Sequence, residues 1–146
     1  MYKGYRIEQF FGDETDVLYA LAPFVMDKQI IKQFDGYPIF TDKDHIWFIV
    51  YDKLDVIAWA SLKVKKNAVK FLNAYVNPEY RHKGIHTELI GRRMDWCEKN
   101  GYRNIEVDCL TTSVNQYKKI GFKEIKTYQK WHKMTIELIT PEEIGI

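Results

Sequence analysis

Apolar residues recur along the chain with two periods, two and about 3.6, and the changes between them outline a fold. Tyr2 to Phe10 alternates and predicts a strand. Asp13 to Ala22 opens with acidic and threonine residues, a helix start, and Pro23 ends it. Met26 to Phe34 predicts a second helix, with Ile30, Ile31 and Phe34 on one face, and Gly36 to Asp44 a polar loop. His45 to Tyr51 is a strongly apolar strand, followed by a turn at Asp52–Asp55. Val56 to Val64 and Ala68 to Val76 are two further strands joined through Lys65-Lys66-Asn67. After Pro78 the period becomes helical: Ile85, Leu89, Ile90, Met94 and Cys97 share a face, and Asn100-Gly101 stops the helix. Asn104 to Asp108 predicts a strand, Thr112 to Ile120 a helix closed by Gly121, and Phe122 to Tyr128 and Trp131 to Leu138 a final strand pair. Several neighbouring strands lack a helix between them. The expected class is therefore α/β in the α+β sense: a mixed, mostly antiparallel sheet of six to seven strands with helices on both faces.

Composition narrows this. The 146 residues suit one domain, 1–146, and are 46% hydrophobic and 29% charged, which excludes a disordered chain. No apolar run approaches the ~20 residues of a spanning helix; the longest uncharged stretch, Val17 to Met26, is interrupted by Pro23. No secretory pattern follows Met1, and Cys97 and Cys109 match neither a disulfide framework nor a zinc site, so a cytoplasmic location is expected. Trp47 and Trp59 lie in apolar strands and are expected in the core, whereas Lys63, Lys65, Lys66 and Lys70 read as a solvated hairpin edge. The net charge of +2 hides an uneven distribution. Residues 1–62 hold six basic and ten acidic side chains, residues 81–133 twelve basic and six acidic. Such asymmetry suits an anion site beside a cation site.

The chemistry concentrates in Val76-Asn77-Pro78-Glu79-Tyr80-Arg81-His82-Lys83-Gly84-Ile85-His86, which joins a buried strand to the long helix. A helix start exposes unpaired N–H groups and a partial positive charge. Gly84 admits a close approach of backbone to ligand, and Arg81, His82 and Lys83 add cations. Physically this is a phosphate or pyrophosphate cradle, though it has neither the P-loop pattern nor the triple glycine of a dinucleotide fold. His82 and His86 stand four apart without a third ligand, so no metal is expected.

At this point the chain resembles the GNAT superfamily of acyl-CoA-dependent N-acetyltransferases. That family carries Val-x-Pro-x-x before Arg/Gln-x-x-Gly-x-Gly/Ala, and here Val76, Pro78, Arg81 and Gly84 stand in register. A second block, Tyr117-Lys118-Lys119-Ile120-Gly121-Phe122, resembles the family's Tyr-x-lysine-x-Gly-Phe near the end of a later helix. The order of elements matches from Tyr2 to Leu138. Two positions depart: His86 stands where the family has Gly or Ala, either crowding the pyrophosphate or adding a donor, and Leu110 stands where it often has Asn seven residues before the tyrosine, with Asn115 nearby at a different spacing.

The resemblance implies an N-acetyltransferase using acetyl-CoA as co-substrate, with a small-molecule or peptide primary amine attacking the thioester directly while both are bound. It implies that the backbone of Ala74, Tyr75 and Val76 pairs with the pantetheine arm, and that Arg81, His82, Lys83, Gly84, Ile85, His86 and Thr87 hold the pyrophosphate, with Asn115 a further candidate. Tyr117 would protonate the leaving thiolate; a phenol of pKa ~10 can donate to a departing thiolate, whose thiol has pKa ~8.5, without being ionised at neutral pH. A lysine-like acceptor, neutral about once in 2,500 molecules at pH 7, needs a base or water relay more than an α-amine does. Residues 70–76 contain no acid, which leaves Asn73 to hold a water and Asp108 as a remote base. The acidic first half favours a cationic acceptor. The resemblance also admits a homodimer. Two alternatives stand beside it: a non-catalytic acyl-CoA-binding regulatory module, and a nucleic-acid binder or nucleic-acid-directed acetyltransferase, suggested by the basic block.

Overall fold

The structure, a computed structural model, describes residues 2–139. Seven strands form one sheet: β1 (Arg6–Phe11), β2 (His45–Asp52), β3 (Asp55–Val64), β4 (Val69–Val76), β5 (Asn104–Leu110), β6 (Lys123–Tyr128) and β7 (Trp131–Glu137). Their spatial order is β1-β2-β3-β4-β5-β7-β6. Every neighbouring pair is antiparallel except β4 and β5. The first expected strand is shorter than its alternation suggests, because Tyr2 and Tyr5 close a tight turn on themselves before β1 begins.

Among the described residues four α-helices cover the sheet: α1 (Thr15–Leu21), α2 (Lys28–Gln33), α3 (Ile85–Lys99) and α4 (Val114–Ile120). Asp27 starts α2 by accepting the N–H groups of Gln29 (2.9 Å) and Ile30 (3.1 Å), as a capping carboxylate does. The expected helix from Thr112 resolves into a 3₁₀ turn, Thr111–Ser113, followed by α4. Alternation along β2 explains the two faces. Phe48 and Val50 join Phe71, Leu89, Ile90, Ile105, Tyr117 and Met134 in the core beneath α3 and α4. Trp47 and Ile49 join Val17, Leu21, Ile30, Trp59 and Tyr75 beneath α1 and α2. Both tryptophans are wholly buried. The lysine edge is less free than expected: Lys65 bonds Glu106 at 2.7 Å, and Lys70 bonds Asp108 at 2.8 Å inside the sheet's central cleft.

One pairing governs the site. β4 and β5 run parallel and are in register only from Val69, Lys70 and Phe71 to Ile105, Glu106 and Val107. Beyond that, β5 stays paired to β7 as far as Leu110. β4 follows β3 instead, with a bulge: Trp59 faces Tyr75 while Ser61 faces Leu72. The extra residue falls at Asn73, which takes a left-handed φ of 58°. The two strands splay apart from this point.

The loop before β2 is held by a close approach of backbones. Gly12 N–H donates to the His45 carbonyl at 2.8 Å, and a side chain at Gly12 would drive its Cβ into the Asp42 carbonyl. Gly12→Ala is therefore expected to destabilise the fold by ~1–3 kcal/mol or more, as overpacking against backbone does. Thermal denaturation of the variant checks this; an unchanged melting temperature would contradict it.

Candidate active site

The turn after β4 is built in steps. The Asn77 side chain accepts the Glu79 N–H at 2.9 Å, and Pro78 opens a 3₁₀ turn, Pro78–Tyr80. Tyr80 anchors it by donating to Asp52 at 2.7 Å, and that bond pushes the phenol's pKa up to about 12. His82 and Gly84 both adopt left-handed backbone, at φ 62° and 83°. The first helical bond of α3 is Glu88 N–H to the Gly84 carbonyl, 3.0 Å, so the N–H groups of Ile85, His86 and Thr87 have no partner within the helix. These open donors, with the helix dipole, suit an anion.

Arg81 does not face this end. Its N–H reaches Pro78 O at 3.4 Å, its Nε donates to the Val76 carbonyl at 2.9 Å, and its Nη2 to Gln33 at 3.0 Å. Arg81 thus ties the turn to β4 and α2, and it occupies the Val76 carbonyl expected to be open. Lys3 is brought in instead: its Nζ bonds the Lys83 carbonyl at 3.1 Å, beside the Tyr2 hydroxyl at 3.3 Å. A Cβ at Gly84 would meet that hydroxyl at 2.5 Å. Nothing in the local pattern near Lys3 signals this neighbour 80 residues away.

The splay between β4 and β5 opens a cleft of about 460 Å³. Leu72, Asn73 and Ala74 form one wall, Asp108, Cys109 and Leu110 the other, and His86, Arg93 and Tyr117 line it from the α3 and α4 side. Tyr117 is buried; Phe122 stands edge-on to it at 5.1 Å and His86 at 5.9 Å. Burial pushes its pKa up, and the Arg93 guanidinium pulls in the opposite direction. So the first turn of α3 (through His86), the strand edge and the phenol, far apart in sequence, border one slot.

The acetyltransferase (GNAT) family pattern matches residues 7–122. The chain belongs to this family. Over 79 residues it is 28% identical to an uncharacterized N-acetyltransferase of Methanocaldococcus jannaschii, covering 52% of this chain and 35% of that protein. The chain thus spans about a third of that relative's length. Among solved structures it is similar to Escherichia coli ElaA (TM-score 0.77, 15% identity, 91% of this chain and 99% of that one). It is also similar to the PaiA N-acetyltransferase of Thermoplasma acidophilum in complex with coenzyme A (TM-score 0.65, 16% identity, 92% and 99%). A GNAT family acetyltransferase of Elizabethkingia anophelis with acetyl-CoA bound is a third (TM-score 0.64, 14% identity, 93% and 99%). At these identities the likeness is one of fold.

In this GNAT chain the remaining expected residues separate into those inside the cleft and one outside. Asn73 lies inside, its Nδ2 donating to Ser61 Oγ at 2.9 Å. Asp108 is inside too. Burial works to raise its pKa, but the Lys70 ammonium and the Tyr128 hydroxyl outweigh it and hold the carboxyl below its usual range. Its Oδ1 is buried without a hydrogen-bond partner. A carboxylate so stabilised is a poor base and a good anchor for a cation. Asn115 is exposed on α4 and does not line the cleft. Its neighbour Gln116 faces α3 instead: Oε1 accepts from His86 Nδ1 at 2.6 Å and Nε2 donates to Thr87 Oγ1. His86 therefore links α3 to α4, and the mouth of the cleft on the opposite face is aromatic, with Phe34, Tyr37, Tyr128 and Trp131.

Burial holds the His86 pKa down, to about 4. In the unfolded chain the same imidazole takes a proton below pH ~6.5. Between these values the folded state binds fewer protons, so stability falls as pH drops through this window. Urea denaturation at pH 7 and pH 4.5 is expected to show a loss ~1–2 kcal/mol larger for the wild type than for His86→Gln. Equal losses would contradict a buried neutral imidazole.

Proposed function

We propose that this chain is an N-acetyltransferase that moves an acetyl group from acetyl-CoA to a primary amine by direct attack while both substrates are bound. The observation that carries this reading is the slot itself: a splayed strand pair with an open helix end at one side and a buried phenol on its wall. The donor's anionic end suits the N–H groups of Ile85, His86 and Thr87 together with Lys83 and Lys3. Its amide-bearing arm suits the edge of β4 at Ala74 and Tyr75, which β5 leaves unpaired. His82 and Gly84 shape the turn through their left-handed backbone. The two coenzyme-bound relatives support the same donor class.

The amine nitrogen attacks the thioester carbon, the C–S bond breaks, and its electron pair goes to sulfur. Tyr117 supplies the proton for that sulfur. Asp108 Oδ1 receives the incoming ammonium, and the aromatic mouth favours an amine carried on an apolar body. Asn73, held by Ser61, orients a water that takes the amine's proton. The basic block that suggested nucleic acid is partly neutralised within the fold, through Lys130–Asp35 (3.0 Å), Arg103–Glu137 (3.1 Å) and Arg92–Glu88 (3.1 Å).

Thiol release from acetyl-CoA across a panel of amines tests this, with a lysine peptide, a free peptide N-terminus and an arylalkylamine included. At least one amine is expected to give saturable turnover. Tyr117→Phe is expected to lower kcat ~10²- to 10⁴-fold with donor affinity unchanged. Donor binding without turnover of any amine would favour the non-catalytic module. Asp108→Asn is expected to raise KM for the amine several-fold and leave the pH–rate profile in place; loss of the profile's acidic limb would make Asp108 the base instead.

A further inference from the structure

Arg93 is a charge set in an apolar stripe. Leu89, Arg93 and Cys97 follow one face of α3 into the core, and all three are fully buried. Two guanidinium nitrogens are satisfied by backbone: Nε donates to the Leu89 carbonyl and Nη1 to the Ser61 carbonyl, both at 3.2 Å. The guanidinium carbon lies 4.3 Å from the centre of the Phe71 ring. The third nitrogen, Nη2, is buried and makes no hydrogen bond of ordinary geometry, while the Tyr117 hydroxyl acts on the guanidinium as its polar neighbour. Among the described residues no ion pair joins Arg93 to a carboxylate, and an unpaired buried charge is costly. A neutral side chain of like volume would suit the core better, so the cation calls for a functional explanation.

The surroundings supply one. Arg93 lines the donor cleft and neighbours Tyr117. The other titratable groups around this pair are His86 on α3, Cys97 one turn on and Cys109 on β5. All three are neutral at pH 7: burial holds His86 down to about 4 and pushes Cys97 and Cys109 up to about 12 and about 11. Arg93 stays charged, since a guanidinium does not lose its proton in a protein. As a phenol, Tyr117 offers this cation no counter-charge. As a phenolate it would.

We propose that Arg93 is a positioning residue for acetyl transfer, and that its Nη2 forms an ion pair with the phenolate left on Tyr117 once the hydroxyl proton has passed to the departing sulfur. The C–S bond breaks, an S–H bond forms, and the Tyr117 O–H bond breaks. The phenolate then regains a proton from the one the amine releases. Burial alone opposes a phenolate in this wall; the cation is what makes a buried phenol serviceable as an acid. The inference rests on the assignment of Tyr117 as acid, and it fails separately from it.

The test is a double-mutant cycle with Arg93→Met and Tyr117→Phe, read by kcat, donor KM, pH profile and melting temperature. Arg93→Met is expected to fold with an unchanged or higher melting temperature. It should lower kcat ~10- to 100-fold with donor KM within about twofold, and move the basic limb of kcat to higher pH. In the Tyr117→Phe background the same substitution should change kcat by less than about twofold. Arg93→Lys, which keeps the charge, should recover part of the loss, and it takes the place of Arg93→Met in the cycle should that variant not fold. A loss of equal size in both backgrounds, or no loss at all, overturns the role of Arg93 and leaves Tyr117 as acid. Full activity of Tyr117→Phe overturns both.

Discussion

The structure turns on a parallel strand pairing that stops after three residues. β4 and β5 share register only at Val69–Phe71 and Ile105–Val107, and then each follows its other neighbour. A sheet that opens in its middle leaves unpaired backbone donors and acceptors facing a gap, which is unfavourable unless something fills it. The bulge at Asn73 commits β4 to β3, and the full pairing of β5 with β7 commits β5 to the other side. The opening is thus enforced by two good pairings rather than by one poor one. Because β4 runs on into the Gly84 turn, the open end of α3 is delivered to the mouth of the same gap. α4, following β5, delivers Tyr117 to its wall.

Charge is distributed around this gap with economy. Asp108 is matched by Lys70, His86 is neutral and tied to Gln116, and the two cysteines are protonated. Against that quiet background the Arg93 guanidinium stands out, with no carboxylate partner among the described residues. A core selected for stability alone would place an apolar residue at Arg93, since a buried charge without a partner weakens the folded state. Its presence beside a phenol on the cleft wall gives the site a local field that water would otherwise screen.

Much of this was legible in the sequence, and the remainder shows where local patterns stop informing. Alternation in β2 and β3, the Gly84 turn and the Tyr117 block all reflect short-range rules, and the elements formed where those rules pointed. Arg93 was hidden because a charged residue at helical spacing reads as solvent-facing; only the packing of α3 on Ser61 and Phe71 brings it inside. Arg81 looked like a cradle cation, yet its side chain runs back to Val76 and Gln33, a direction set by tertiary register. Asn115 and Gln116 differ by one position on a short helix, and which of them meets α3 depends on a rotation that composition does not encode. Lys70 looked solvated until β5 placed Asp108 beside it. In each case the missing information was a neighbour distant in the chain.

The central claim is that the gap between β4 and β5 receives the acyl-CoA donor. Amide hydrogen exchange, measured with and without saturating coenzyme A, tests it most directly. The account expects slowed exchange at the amides of Ala74 and Tyr75 and at those of Ile85, His86 and Thr87, with β1 and β2 unchanged. Unaltered exchange at both segments with coenzyme bound, or no binding up to millimolar coenzyme, would contradict it.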